Sequence, residues 1–200
     1  MELEQLRESM KMVLKETRYQ HVLGVEEVSI DLAVIHGCDQ RKAAIAGILH
    51  DCAKYLTDEE LLSECTKYKL PVTDGERKSV YLLHAKVGAA CARDKYGIED
   101  DDILNAITYH TTGRPGMSLL EKIVFTADYI EPNRKPLPRI EEIRKAAYDH
   151  LDFAVYLILE NTLEYLNNVG TFIDTRTNET YAYYKNIICE LDAEGKAKEF

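Results

Sequence analysis

Three absences in the 200-residue sequence exclude large classes of protein. None of the five cysteines forms a C-x-x-C pair, and their odd number is typical of reduced thiols in a cytoplasmic protein. No apolar run approaches the ~20 residues of a bilayer-spanning helix, and the N-terminus carries no apolar secretion segment. We therefore expect a cytoplasmic protein with no membrane partner.

Positive charge is also scarce, because 35 acidic residues outnumber 25 Lys and Arg and give a formal net charge of -10. Proteins that bind duplex nucleic acid normally carry a basic face, so this balance argues against a nucleic-acid partner. It does not exclude a small anionic substrate, provided that a metal ion or a few local cations offset the negative field.

β-type alternation, internal repeats and obvious linkers are absent, whereas helical periodicity recurs along most of the chain. The predicted helices cover about residues 2–17, 18–35, 40–55, 58–69, 80–96 and 100–111, a segment after Ser118, 139–169 and 178–192. Gly37 should end the second helix, while Asp39 and Thr57 should cap the third and fourth. We predict a loop over 70–78 and an all-α fold, with residues 1–200 forming a single-domain helical bundle.

Six potential metal ligands lie in line with the apolar faces of these helices. They are His21, His50, Asp51, His84, His110 and Asp128. A buried imidazole or carboxylate needs hydrogen bonds or a cation, because its desolvation alone is costly. Each histidine by itself is more often a satisfied core residue, and Asp128 by itself could form a buried ion pair with an arginine. Six such residues on five helical segments indicate a hydrolytic metal centre.

The spacing of these residues suggests how they would act together. Neighbouring side chains on a helix point about 100° apart, so His50 and Asp51 can both reach an ion beside the helix end. With His21 and Asp128 added, two imidazoles and two carboxylates suit iron, manganese, cobalt or zinc. Such an ion lowers the pKa of bound water toward neutrality. His84 and His110 could either ligate a second ion or contact phosphate oxygens directly.

The order of these residues resembles the HD-domain metal-dependent phosphohydrolase superfamily, through His21, GILHD at 47–51 and FTADYIEPNR at 125–134. Further segments are similar to the bacterial symmetrical bis(5′-nucleosyl)-tetraphosphatase family over nearly the whole chain. These segments are RYQHVLGV (18–25), HDCAKYL (50–56), LLHAKVGA (82–89), YHTTGRPGMS (109–118) and ADYIEPNR (127–134).

This resemblance implies a single HD-type domain, with its metal-site core at about 18–130 and C-terminal helices at about 139–192. It implies symmetrical hydrolysis of diadenosine tetraphosphate to two ADP at an iron-containing site, with manganese or cobalt as alternatives. The implied metal ligands are His21, His50, Asp51 and Asp128, and the implied catalytic residues are Asp51, His84 and His110. The implied substrate contacts are Lys54, His84, His110, Thr111, Gly113, Arg114 and Arg134.

Chemistry gives some of these contacts a physical basis. Lys54 can bind phosphate as a point charge, and Arg114 or Arg134 can bind phosphate through two hydrogen bonds. Lys54 and Arg134 could equally be solvated surface charges. Purine contacts could come from Tyr109, Tyr129 or the tyrosines of 180–186.

Other functions remain open from the sequence. The chain could be an HD-type phosphohydrolase that acts on another nucleotide, or a nucleotide-binding regulator with little turnover. A structural helical adaptor is a third class and predicts no bound metal. The expected ligand is a dinucleoside polyphosphate or a nucleoside diphosphate, and a homodimer would be unsurprising for a chain of this size.

Overall fold

A computed structural model describes residues 2–193, and every regular element within that range is a helix. The α-helices are α1 (Leu3–Val13), α2 (Glu16–His36), α3 (Gln40–Leu49), α4 (Asp58–Lys67), α5 (Asp74–Lys78), α6 (Leu83–Tyr96), α7 (Asp101–Tyr109), α8 (Leu119–Ile130), α9 (Ile140–Asp149), α10 (Leu151–Asn168) and α11 (Thr175–Ala193), with a 3-10 turn at Val80–Leu82. The predicted all-α fold is confirmed.

Helix α2 is the longest helix and packs against both α3 and α8. Helix α7 packs against α6, α8 and α3, so five helices surround one interior region. Helices α9 and α11 pack against α10, which in turn packs against α8. Among residues 2–193, no helix has both the length and the apolar character needed to cross a bilayer.

Helices α2 and α3 approach closely because Gly47 has no side chain. A Cβ atom at Gly47 would lie 2.9 Å from the Cα atom of Glu26 on α2, which is closer than packed atoms come. The Glu26 carboxylate is buried and accepts two hydrogen bonds from Arg7 of α1, at 2.9 and 2.7 Å. The three N-terminal helices therefore meet at Glu26, whose ion pair with Arg7 is partly buried.

The predicted helix ends at Gly37, Asp39 and Thr57 are observed. Gly37 adopts a left-handed backbone with φ of 73°, which suits a residue without Cβ. Asp39 accepts a hydrogen bond from the Lys42 amide, and Thr57 forms a reciprocal capping box with Glu60.

The third helix is shorter than its predicted range of 40–55. It ends at Leu49, where the His50 imidazole bonds to the Gly47 carbonyl oxygen at 2.7 Å in place of a helical N–H. The chain then continues in tight turns, in which Cys52 N donates to Leu49 O and Lys54 N donates to Asp51 O. His50 and Asp51 consequently lie just beyond the helix rather than within it.

The predicted loop over 70–78 is wrong in its second half, where α5 forms. Thr73 and Glu76 make a capping box, and buried Glu76 also contacts Lys86 at 2.5 Å. The Thr-x-x-Glu spacing was present in the sequence. The predicted boundary between the first two helices also moves, since Leu14 and Lys15 adopt extended backbone between α1 and α2.

Candidate metal centre

The imidazoles of His50 and His110 lie immediately after the ends of α3 and α7. The last carbonyls of a helix have no intrahelical partner, so they are free to accept side-chain donors. His50 Nδ1 donates to Gly47 O and His110 Nδ1 donates to Ile107 O, each at 2.7 Å. A carbonyl oxygen can only accept, so Nδ1 carries a proton, and in the neutral imidazole Nε2 keeps a lone pair.

His84 and His21 reach the same orientation by different means. At the start of α6, His84 Nδ1 donates to the carbonyl of Tyr81 in the preceding 3-10 turn. His21 lies in the interior of α2, and its Nδ1 lies 3.0 Å from the carboxylate of Glu131, just past α8. All four imidazoles are buried. Each therefore directs Nε2 toward the region between the helices.

These Nε2 atoms meet in two pairs. The Nε2 atoms of His21 and His50 are 3.3 Å apart, and those of His84 and His110 are 3.1 Å apart. Two lone pairs cannot hydrogen-bond to each other, so each pair needs a proton or a cation between its nitrogens. Imidazole nitrogens that converge in this way fit a divalent transition metal.

Asp51 lies between the two imidazole pairs and is 2% exposed. Its Oδ1 atom is 3.2 Å from His84 Nε2 and 3.6 Å from His110 Nε2. Its Oδ2 atom is 3.5 Å from His50 Nε2 and 3.9 Å from His21 Nε2. The two oxygens thus complete two groups of potential ligands, each with its ligand atoms within 4.8 Å of one another.

Asp128 adjoins the first of these groups. Its Oδ1 atom is 3.1 Å from His21 Nε2 and 4.0 Å from His50 Nε2. Arg134 also binds Asp128, through Nη2 to Oδ1 at 2.7 Å and through Nε to the backbone carbonyl at 2.6 Å. Asp128 therefore combines the two interpretations left open by the sequence, a place beside the imidazoles and an ion pair with an arginine.

The electrostatics of the cluster favour anionic carboxylates and neutral imidazole at His84. Burial would raise the pKa of Asp51, but the surrounding imidazoles, His50 foremost, hold it well below its usual range. At Asp128 burial would also raise the pKa, but the hydrogen bond to His21 and the charge of Arg134 lower it well below its usual range. At His84, burial lowers the pKa to about 4. At these three residues the protonation states are the ones that metal ligation requires. At His21 burial would lower the pKa, but Asp128 and Glu131 raise it.

Lys54 and Thr111, two of the predicted substrate contacts, lie beside the second imidazole pair. Lys54 Nζ is 3.2 Å from His84 Nε2, and burial lowers the pKa of its amine. Thr111 Oγ1 is 3.1 Å from His110 Nε2 and 3.4 Å from His84 Nε2. The structure brings both residues to the cluster.

Gly113 and Arg114 have packing partners instead. Arg114 donates to both carboxylate oxygens of buried Glu121, at 2.7 and 2.9 Å, and lies over the ring of Tyr109. Gly113 has φ of 62°, and a Cβ there would lie 2.8 Å from a methyl carbon of Thr180. Local packing accounts for these two residues, and their contacts with substrate stay predictions.

Sequence reasoning missed Arg18 and Glu131. Arg18 Nη1 lies 2.8 Å from Asp51 Oδ2, and the arginine side chain remains 39% exposed. Together with Arg134 and Lys135, it lines a cavity of about 220 Å³ that reaches His21. Arg18 precedes His21 by three residues, a spacing that places side chains on one helical face. That spacing could have identified Arg18 as a neighbour of the metal centre from the sequence.

The sequence of the chain matches the model of the HD domain family over residues 18–133. It is 47% identical over 168 residues to "Bis(5′-nucleosyl)-tetraphosphatase, symmetrical" of Halalkalibacterium halodurans, and this match covers 84% of this chain and 89% of that protein. It is 44% identical over 167 residues to the Bacillus subtilis protein of the same name, covering 82% of this chain and 89% of the relative.

A solved structure has the same fold. A crystal structure from Clostridium acetobutylicum, described as a "predicted HD superfamily hydrolase involved in NAD metabolism", superposes with a TM-score of 0.90. The two sequences are 40% identical, and the match covers 94% of this chain and 98% of the other.

Proposed function

Because this chain belongs to the HD-domain family, and within it to the symmetrical bis(5′-nucleosyl)-tetraphosphatases, we propose that it hydrolyses dinucleoside tetraphosphates to two nucleoside diphosphates. The protein is a metal-dependent phosphoanhydride hydrolase, and diadenosine tetraphosphate, which gives two ADP, is the expected substrate. The observation that carries this proposal is the position of Asp51 between two pairs of converging imidazoles.

The donor set fits divalent metal ions. His21, His50, Asp51 and Asp128 would hold one ion, and Asp51, His84 and His110 would hold a second. When bound, such ions supply Lewis acidity to a phosphoryl oxygen and lower the pKa of coordinated water toward neutrality. We propose iron as the metal loaded in the cell, with manganese or cobalt able to replace it, since imidazole and carboxylate ligands suit all three.

The geometry also favours one of the two roles considered for His84 and His110. In both residues Nδ1 donates to a backbone carbonyl, and at His84 burial lowers the pKa to about 4, so that the neutral ring presents the lone pair of Nε2. A lone pair repels a phosphate oxygen but binds a cation. We therefore assign both residues as ligands of a second ion that share Asp51 with the first.

Positive groups lie on both sides of Asp51. Arg18 and Arg134 lie on the side of the His21–His50 pair, and Lys54 lies on the side of the His84–His110 pair. A phosphate chain that contacts both sides would have its central anhydride near Asp51. Attack by water there divides a tetraphosphate into two equal halves.

The two arginines now contact ligand carboxylates, Arg18 with Asp51 and Arg134 with Asp128. Once those carboxylates bind a cation, the guanidinium groups become available to phosphate oxygens, which they bind through two parallel hydrogen bonds. Arg18 and Arg134 would thus hold one end of the phosphate chain while the reacting phosphorus lies over the cluster.

The test is product analysis with the metal-loaded protein. We would incubate it with diadenosine tetraphosphate and Fe(II), Mn(II) or Co(II) under anaerobic conditions. A separate reaction would contain NAD in place of the dinucleotide, because the Clostridium relative is described in terms of NAD metabolism. The expected result is ADP as the sole product. AMP with ATP, or no turnover with any of these metals, would contradict the proposal.

A matched control uses a histidine outside the cluster. His36 bonds to Ala147 O at 2.7 Å and joins α2 to α9, so His36→Ala should leave product identity and metal requirement unchanged. Binding of ADP without turnover would instead favour the nucleotide-binding regulator, and hydrolysis of NAD alone would favour an enzyme for another nucleotide. A homodimer and a cytoplasmic location remain predictions.

A further inference from the structure

His21 obtains its orientation in a different way from the other three imidazoles. His50, His84 and His110 each donate Nδ1–H to a carbonyl three residues earlier, where a helix ends or begins. His21 is the sixth residue of α2, and carbonyls in the interior of a helix already accept helical N–H groups. Its Nδ1 partner must therefore come from another part of the chain, and that partner is Glu131.

Glu131 is fixed so that both of its carboxylate oxygens face donors. Oε1 is 3.0 Å from His21 Nδ1, and Oε2 accepts the backbone N–H of Asn133 at 2.6 Å. The Asn133 side chain in turn donates to Gln20 O at 3.2 Å. Glu131 is 1% exposed and His21 is 7% exposed, so the contact between these two side chains is shielded from water.

Gly24 supplies the space for this carboxylate. It lies on α2, three residues beyond His21, and a Cβ atom at Gly24 would be 2.4 Å from Glu131 Oε2 and 3.0 Å from Asn133 Nδ2. Any side chain at this position would force Glu131 away from its place. The glycine therefore serves the docking of Glu131 against α2.

We propose that Glu131 is a positioning residue of the metal centre, which holds His21 in its Nδ1–H tautomer, and that Gly24 is the residue that admits it. A carboxylate bonded to Nδ1–H presents Nε2 to an ion and makes it more basic, as partners of metal-bound histidines do. This inference rests on the proposed role of His21 as an ion ligand. It adds a residue that touches neither substrate nor ion.

Glu131→Gln tests the tautomer directly, because an amide has only one acceptor oxygen. The Asn133 N–H can only donate, whereas a neutral imidazole can exchange the proton between its two nitrogens. The amide oxygen should therefore serve Asn133 while its NH₂ group donates to His21 Nδ1. The proton of His21 then moves to Nε2, which can no longer ligate.

Two measurements follow, and neither depends on turnover. In metal-free, ¹⁵N-labelled protein, at a pH high enough to keep His21 neutral in the variant, long-range ¹H–¹⁵N spectra should show a proton on His21 Nδ1 in the wild type and none on Nδ1 in Glu131→Gln. Titration with Co(II) alone, followed by the visible absorption of the bound ion, should show that Glu131→Gln lowers the Co(II) affinity by about 10–100-fold at the ion position that includes His21. Gly24→Ala should weaken Co(II) binding in the same direction.

Matched controls separate this effect from a general packing defect. Glu26→Gln removes a different buried carboxylate, one that lies on α2. Gly88→Ala adds a Cβ atom whose nearest neighbour would be 3.4 Å away. Both should keep the wild-type tautomer and Co(II) affinity. An unchanged His21 tautomer, or unchanged Co(II) affinity, in Glu131→Gln would overturn the proposal, even if the protein proved to be a tetraphosphatase.

Discussion

Replacement of Asp51 by asparagine is the sharpest perturbation of the candidate centre, because the side chain keeps its shape while one oxygen becomes an NH₂ group. Oδ1 lies 3.2 Å from His84 Nε2 and Oδ2 lies 3.5 Å from His50 Nε2, so each oxygen serves one imidazole pair. Whichever oxygen is replaced, one pair loses its anionic ligand. The remaining carboxamide oxygen is neutral and a weaker ligand for the other pair.

The size of the effect follows from linkage between ion binding and folding. An ion at a hundredfold excess over its dissociation constant stabilises the native state by about 2.7 kcal/mol. For a chain of this length, about 1 kcal/mol moves Tm by roughly 2–4 °C. Each Mn(II) ion bound at that excess should therefore raise Tm by roughly 5–11 °C, and two ions by roughly 11–22 °C, by these two relations.

We expect Asp51→Asn to lose most of this metal-dependent rise and all measurable turnover. Calorimetry with and without Mn(II) measures the first, and chromatography of nucleotide products measures the second. Comparing each variant with its own metal-free form removes any intrinsic change in stability. Asp58→Asn, an exposed residue in the first turn of α4, is the control and should keep both properties. A full metal-dependent rise in Asp51→Asn would refute the shared role of this carboxylate.

Three further predictions address other parts of the chain. Arg134→Ala removes the guanidinium 2.7 Å from Asp128, and steady-state kinetics should show KM for the dinucleotide rising at least about tenfold, as loss of a charged hydrogen bond implies; an unchanged KM would exclude it as a phosphate contact. Burial would raise the pKa of Glu76, but Lys86 lowers it, so Glu76 stabilises the fold above its unfolded pKa and this contribution is lost as pH falls through the lower folded pKa. Urea unfolding should show the stability difference between wild type and Glu76→Gln closing on acidification, and a difference independent of pH would contradict this. Gly113→Ala places a side chain at φ of 62°, so its free energy of unfolding should fall by about 1–2 kcal/mol, and an unchanged Tm would count against the strain.

The sequence predicted the fold class and the meeting of the six potential ligands because both depend on helical periodicity. His21 and His84 are buried and Asp128 is partly buried, on the helix faces where the spacing of apolar residues had placed them. Periodicity does not report which nitrogen of an imidazole faces inward. That orientation depends on acceptors such as Gly47 O and Glu131, which become visible only once the chain is folded.

The errors in the prediction have local physical causes. The helix predicted over 40–55 was too long, because the capture of a backbone carbonyl by His50 leaves no trace in the apolar pattern. Helix α5 was missed although Thr73 and Glu76 have capping-box spacing. Arg18 was overlooked as a site residue because its partner, Asp51, lies 33 residues away along the chain.

The placement of His50 and His110 directly after the last residues of α3 and α7 makes the lengths of those helices part of the chemistry. One residue inserted within α3 would turn His50 by about 100° and shift it about 1.5 Å along the axis, away from its partners. A conservative replacement at the same point would leave the register intact. Evolutionary drift in these two segments should therefore proceed through exchanges of side chains, while gains and losses of residues accumulate in the connections elsewhere.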